Sequence, residues 1–517
     1  MSRAGTVVAV ALFGLLLGTP YLMRPPEEKR PADAVSVIAL SPQPEEVRYE
    51  FGRGFREWHA EQYPDDPPVV IEWRNVGGTS DIVRFIRSEF GASPDGIGVD
   101  LFFGGGDFES RQLAKAGLLA PVKLPDDLAC AVSADLAEGR PWRLSGNDLA
   151  APAEPGGGRR WYGTCLSAFG IVYSPAWHTA RGAAPPRTWA DLARPEYRGW
   201  VGAADPSKSG SAMKCFEMIL QERIAAAEVR LRGSDGRLSA EAAAAAQQQG
   251  WLEGMALIAR IGANSRYLSD QAPKVCLDVS LGETAAGMTI DFYGRYQQVV
   301  IGGDRIAYAA PEGGTSLSAD PVSVLRGAPN ARYAERFVAF CLSRRGQMIW
   351  ALPPRTGPHA VQTFPDGRPI PADLPRPWKH ALQRTPVRPD VYADPDFVAL
   401  GGAGPGGNPF AAGETLLRYE DRRTGAMFSL LKNLYLPAML TDARDEMQAA
   451  WDALAAAGFP AEATAEFARP PLSWADLAAA GAEIKASPRP SEAAFRKRSE
   501  WAGIFQEKYA RIARTAK

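Results

Sequence analysis

The sequence predicts an α/β protein built from more than one unit and followed by a helical C-terminal extension. Three observations carry this. Strand-like apolar runs alternate with amphipathic helical runs at the start of the chain. A length of 517 residues exceeds what one core usually holds, so two or three domains are expected. From about Ala360 the alternation gives way to Pro- and Gly-rich stretches and then to helical runs.

The elements follow in order. The uncharged run from Thr6 to Met23 suits a secretory h-region or a signal anchor. No cysteine follows it to take a lipid, and Ala32-Asp33-Ala34 is a small-residue cleavage candidate. VSVIAL (residues 35–40) and VVIEWR (residues 69–74) read as strands around a helix over 45–62. In the next helix Ile82, Phe85, Ile86 and Phe90 make one apolar stripe, with Thr79 or Ser80 as its N-cap. VDLFFGGG (residues 99–106) is a strand entering a glycine turn, and a helix over 107–116 follows. A second unit opens near Trp161 with strand material, then WVGAAD, then a helix carrying Ala212, Cys215, Phe216, Ile219 and Leu220 on its apolar face. Residues 238–261 read as an Ala-rich helix, and KVCLDVS and AAGMTIDFYGRY as two strands around a turn at 282–284. Residues 331–351 form one amphipathic helix. Beyond 360, helices are expected over 414–434, 441–457 and 491–513.

Composition narrows the function. A formal net charge of -1 and the lack of a clustered Lys/Arg face with interleaved aromatics argue against a nucleic-acid partner. The four His have no metal-ligand spacing, so no metal site or cofactor is expected. The five Cys are scattered without a CxxC; four lie in apolar segments and read as buried thiols, with Cys165–Cys215 a conceivable pair.

In open α/β sheets ligands bind beyond the C-terminal strand ends, near helix N-termini. Four loops stand there: Gly77-Gly78-Thr79-Ser80, Gly104-Gly105-Gly106, residues 207–211 and Asp291-Phe292-Tyr293. Small residues open the backbone N–H groups to a ligand, and hydroxyls supply donors that rotate to fit. In ADPSKSGSA, Ser207, Ser209 and Ser211 precede a helix whose first N–H groups lack partners, a setting that favours an anion. A single serine there would be an N-cap; three serines beside two further loops point to a ligand site. A serine nucleophile would need a base, and no G-x-S-x-G elbow, nearby His or Walker GK[ST] is present. The loop is therefore read as holding its ligand, and the protein as no enzyme.

NVGGTSDIVRFI, DLFFGGG, YGTCLSAFGIVYSP, TWADLARPEYRGWVGAADPSKSGSA and SRRGQMIWALPPRTG, in this order, resemble the extracellular solute-binding proteins of ABC importers, in their ferric-iron-binding-like branch. The resemblance spans about residues 35–358. It implies a type II periplasmic-binding fold: lobe 1 at 35–150 and 305–360, lobe 2 at 151–304, after an export segment with linker (1–34) and before the extension (361–517). It implies hinge closure on a solute, an ABC permease as partner and a periplasmic location, freed or tethered to the inner membrane through residues 6–23. The matching ligand positions are Gly78, Thr79, Ser80, Gly105, Thr164, Ser209, Gly210, Ser211, Asp291 and Tyr293, beside Ser207 from the serine loop. Iron-binding relatives use two adjacent tyrosines, whereas Phe292 stands here where the first is expected. A phosphorylated, phosphonate or carboxylate solute is expected ahead of ferric iron, and a membrane-tethered sensor or scaffold is the alternative role.

Overall fold

The computed structural model describes residues 13–15, 19, 31, 33–74, 76–404, 407–411 and 416–516. The export segment and the Ala32 cleavage candidate fall largely outside them. Among the described residues no helix is long and apolar enough to cross a membrane.

The first half-unit is a parallel β–α–β–α–β layer. Strand β1 (Val35–Leu40) leads to α1 (Glu45–Gln62), β2 (Val69–Arg74), α2 (Thr79–Ala92), β3 (Leu101–Phe103) and α3 (Asp107–Lys115). β1 lies parallel to β2, Val35 opposite Val69, and parallel to β3 on its other side. After the short β4 (Leu119–Ala120), strand β5 (Tyr162–Ser167) joins this same sheet, although it lies inside the segment expected for the second lobe. After the single residue Ala168, β6 (Phe169–Tyr173) belongs to a second sheet. The chain thus changes lobes at Ala168.

The second sheet adds β7 (Val201–Ala204), α4 (Gly210–Leu231), α5 (Ala240–Asn264), β8 (Ser265–Ser269), α6 (Ala272–Ser280), β9 (Ala286–Ile290), α7 (Asp291–Ile301) and β10 (Ala307–Ala309). Its order is β8-β7-β9-β6-β10. KVCLDVS is helical here and not a strand: Pro273 opens the helix, and Val275, Cys276 and Val279 are buried at helical spacing. The chain then returns through β11 (Ser318–Leu325), which pairs antiparallel with β3 and β5 in the first sheet. The helix expected over 331–351 is two, α8 (Ala331–Leu342) and α9 (Arg344–Ala351). Ser343 breaks it, its side chain accepting from the Gly346 N–H as the cap of the second.

The first lobe packs on an aromatic cluster, in which Phe51 lies 4.1 Å from Trp350 and Phe55 5.2 Å from Phe337. Trp161 and Tyr162 are buried in this lobe's cores, so they are packing residues and not a ligand wall. Glu312 is an exposed turn residue facing Arg187. Cys165, Cys215, Cys276 and Cys341 are buried free thiols and Cys130 is an exposed one; Cys165 and Cys215 are not joined.

The extension does not stand apart. Strand β12 (Thr385–Pro386) pairs antiparallel with β5, adding an edge to the first sheet. The stretch expected as one helix over 414–434 is instead short turns of mixed helix beginning at Asp421 and running on through π-helical turns to Asp442. Helices α10 (Arg444–Ala456), α11 (Ala461–Ala468), α12 (Trp474–Ala486) and α13 (Pro490–Thr515) follow, of which α11 and α12 were not expected. Their apolar faces share one core with the second lobe: Trp251, Tyr435, Trp501 and Phe505 are all buried together.

Where the extension meets the first lobe, Tyr419 N–H donates to Ser145 O at 2.8 Å. Gly146 has φ +84°, and a Cβ there would lie 1.9 Å from Tyr419 O. Gly146→Ala is expected to lower stability by more than about 1 kcal/mol, through strain and the lost contact, read as a lower urea midpoint. An unchanged midpoint would show that this seam carries no stability.

Candidate functional site

One cleft of about 1070 Å³ opens between the two sheets. Its walls are loops at the strand ends. The first lobe gives residues 41–44 and 46–48 after β1, 77–81 after β2 and 105–107 and 109 after β3; the second gives 207–211 after β7, 270–273 after β8, Ile290 at the end of β9 and residues 292 and 293 beyond it.

Most of the expected site residues meet there. Gly78, Thr79, Ser80, Gly105, Ser207, Ser209, Gly210, Ser211 and Tyr293 all line the cleft. Thr164 and Asp291 do not. Thr164 is buried in β5, its hydroxyl donating to Asp320 O at 2.9 Å. Asp291 is buried at the start of α7, where it accepts from the Phe292 N–H at 2.8 Å and lies 3.6 Å from Arg295. Burial raises its pKa above the ordinary carboxylate value, which the Arg295 charge opposes. Its N–H donates to Ala168 O, so this residue ties α7 to the inter-lobe crossing.

The local conformations explain the rest. The N-cap of α2 is Gly78, not Thr79 or Ser80 as expected, and its N–H donates to Asp81 Oδ2 at 3.1 Å. Asp81 thus does the capping, and the Ser80 hydroxyl is buried without a partner. Gly105 has φ +92°, and a Cβ would come within 2.5 Å of the Phe102 ring and 3.1 Å of Thr79 Cγ2. Only glycine lets the β3 turn lie against the start of α2. In the serine loop, Asp205 Oδ1 accepts from the Ser207 N–H and hydroxyl at 2.8 and 2.6 Å. Ser209 caps α4, accepting from Ala212 N–H at 3.2 Å, and its hydroxyl lies 3.1 Å from that of Ser211. Lys208 pairs at 2.6 Å with Asp270, in the loop after the neighbouring strand β8 of the same lobe.

The floor holds a group that the sequence reading missed. Arg384, from the extension, is buried, with its guanidinium donating to Asp320 Oδ2 at 2.6 Å and Gln43 Oε1 at 2.7 Å. It lies flat on the Phe292 ring at 3.6 Å. Phe292, standing where the first tyrosine of the pair was expected, is thus the platform for a cation. Burial pushes the Tyr293 phenol up to about 12, so it stays protonated at neutral pH. Gln43 follows β1 and could have been found by the strand-end rule. Arg384, Asn433 and Arg498 also line the cleft from the extension, and no local motif marks them.

Residues 146–378 match the family model described as bacterial extracellular solute-binding protein. The phosphoglycerate transport regulatory protein PgtC of Salmonella typhimurium is 26% identical over 212 residues, which cover 41% of this chain and 44% of that protein. The chain therefore matches under half the length of that relative. Among solved structures, the periplasmic binding protein AfuA from Actinobacillus pleuropneumoniae, with fructose-6-phosphate bound, is 18% identical with a TM-score of 0.43, over 61% of this chain and 82% of that one. The substrate binding protein of an ABC transporter from Agrobacterium tumefaciens is 17% identical with a TM-score of 0.44, over 62% and 77%. The architecture, two α/β lobes joined by crossing strands with a cleft between them, rests on the strand order above and fits the solute-binding family.

Proposed function

We propose that the chain is an extracytoplasmic receptor that holds a small phosphorylated or carboxylate anion in the cleft for an ABC permease. One observation carries the ligand class. Two long helices from opposite lobes, α2 and α4, both start at this cleft, and each brings hydroxyls and free backbone N–H groups to it. A helix N-terminus favours an anion by roughly 0.3–1 kcal/mol when exposed and about 2 when partly buried. Ferric iron suits the site less well. The neutral Tyr293 phenol and the Arg384 charge behind Phe292 both disfavour a trivalent cation. The likeness to a phosphoglycerate transport regulatory protein makes 3-phosphoglycerate the first probe.

The test is native mass spectrometry of protein purified without added ligand, followed by calorimetric titration with 3-phosphoglycerate. A bound organic anion is expected, and binding should weaken at least about tenfold in the Ser209→Ala/Ser211→Ala variant, for the loss of hydrogen bonds to a charged group. The variant also loses the α4 cap, worth about 1 kcal/mol of stability, so affinity is compared well below its melting temperature. Copurifying iron, or binding that the double variant leaves intact, would overturn this reading.

A further inference from the structure

The described residues pass between the lobes three times. Ala168 carries the first crossing, and the stretch from β10 to β11 carries the second. The third is made by the extension, which leaves the first sheet at β12 and enters the second lobe's core from Leu417 and Tyr419 onward. In passing, Leu417 N–H donates to Thr315 O at 2.9 Å, within the second crossing.

The extension also grips a first-lobe helix. Glu109 on α3 and Lys432 of the extension form a buried ion pair at 2.9 Å. Arg111 reaches Asp421 at 3.1 Å. The Phe108 ring lies 4.3 Å from that of Phe428. From the second lobe, buried Lys214 sits 3.8 Å from Asp107 and 2.9 Å from Glu217. Burial would lower the Lys214 pKa, but the charges of Asp107 and Glu217 outweigh it and hold the lysine charged. Opening or closing the cleft by rotation would pull these charges apart inside the protein, the costly way to break a buried pair.

The same segment faces the cleft. Asn433 is exposed and lines it. Arg498 lines it too, held by a two-pronged contact to Asp442 at 2.7 and 2.8 Å, and its charge is favoured by that contact and by the Asp205 carboxylate at the base of the serine loop.

We propose that the C-terminal extension is a third wall of the solute site, with Arg498 and Asn433 meeting the solute, and that its contacts to α3 clamp the two lobes at one opening. The wall rests on the cleft being the solute site; the clamp does not. Binding then proceeds with little lobe closure, and occupancy is felt directly by the extension.

The clamp is tested on the full chain with Cys130→Ser, Asp65→Cys and Leu281→Cys, spin-labelled on the two lobes and measured by double electron–electron resonance. One narrow distance distribution is expected, unmoved by 3-phosphoglycerate, and broadened when Glu109→Gln/Lys432→Met is added. A shift on adding 3-phosphoglycerate, or an unbroadened distribution in the added variant, would overturn the clamp. Hydrogen exchange of the unaltered chain is the second readout. Amides of α3 should be as protected as those of α4, and fast exchange there would also overturn it. For the wall, Arg498→Gln and Asn433→Ala should each weaken 3-phosphoglycerate binding at least about threefold, and unchanged affinity in both would overturn that role. An unaltered chain that binds no anion would defeat the solute reading and the wall with it, while the distance measurement still judges the clamp.

Discussion

Arg384→Met is expected to destabilise the protein by about 3–5 kcal/mol, the usual cost of stranding one partner of a buried ion pair. Asp320 would keep the Gln43 side chain at 2.7 Å and the Gly106 N–H at 3.2 Å but lose its cation. Phe292 would lose the guanidinium stacked on its face. Adding Asp320→Asn should restore most of the loss, because the stranded charge and not the missing contact area dominates the cost. Chemical denaturation of both variants decides this. Equal instability in the single and double variants would mean that packing on Phe292 and Trp350 is what Arg384 supplies.

Lys508 gives the second large effect. It lies in α13 with its ammonium donating to Phe467 O at 2.8 Å and Arg469 O at 2.6 Å, at the end of α11. Burial, aided by Arg511 and Arg469 and opposed by Glu466, lowers it from 10.5 to about 7. The sign follows from proton counting. Between pH 7 and 10.5 the unfolded lysine carries a proton that the folded one has shed, so stability rises with pH across that window. Below about pH 7 both are protonated and the penalty is fully present. The rise should be on the order of 3 kcal/mol, allowing for partial exposure. Comparing the stability of the unaltered chain and of Lys508→Met across this range isolates it. The difference between the two curves should grow with pH, and a constant difference would show that Lys508 titrates at its ordinary value.

Much of this architecture was legible because its signals are local. Apolar alternation in VSVIAL and VVIEWR marked β1 and β2 to the residue, and the stripe Ile82, Phe85, Ile86, Phe90 marked α2. The strand-end rule led to the glycine and serine loops, which do converge on one cleft. The failures share a cause. KVCLDVS has strand-like composition, and only burial of Val275, Cys276 and Val279 against the sheet decides for a helix. Thr164 sits inside β5 and Asp291 at the start of α7, and both are buried. Arg384 reaches the cleft through strand pairing more than 200 residues away in sequence, Arg384 Nη1 lying 3.3 Å from Cys165 Sγ, and no local pattern announces such a contact.

The shared core of the second lobe and the extension also governs how this chain can fold. Met213, Trp251 and Met288 are covered in part by Tyr435, Trp451, Trp501 and Phe505. The first sheet needs β11 and β12 to complete itself. Neither lobe is a contiguous piece of chain: the first cannot finish before β12 exists, and the second not before the C-terminal helices do. Folding therefore closes long loops before most apolar burial is gained, which makes it slow and leaves sticky intermediates during synthesis. A chain cut short before α13 leaves the second lobe's apolar core uncovered and becomes a substrate for chaperones and proteases instead of a smaller binding protein.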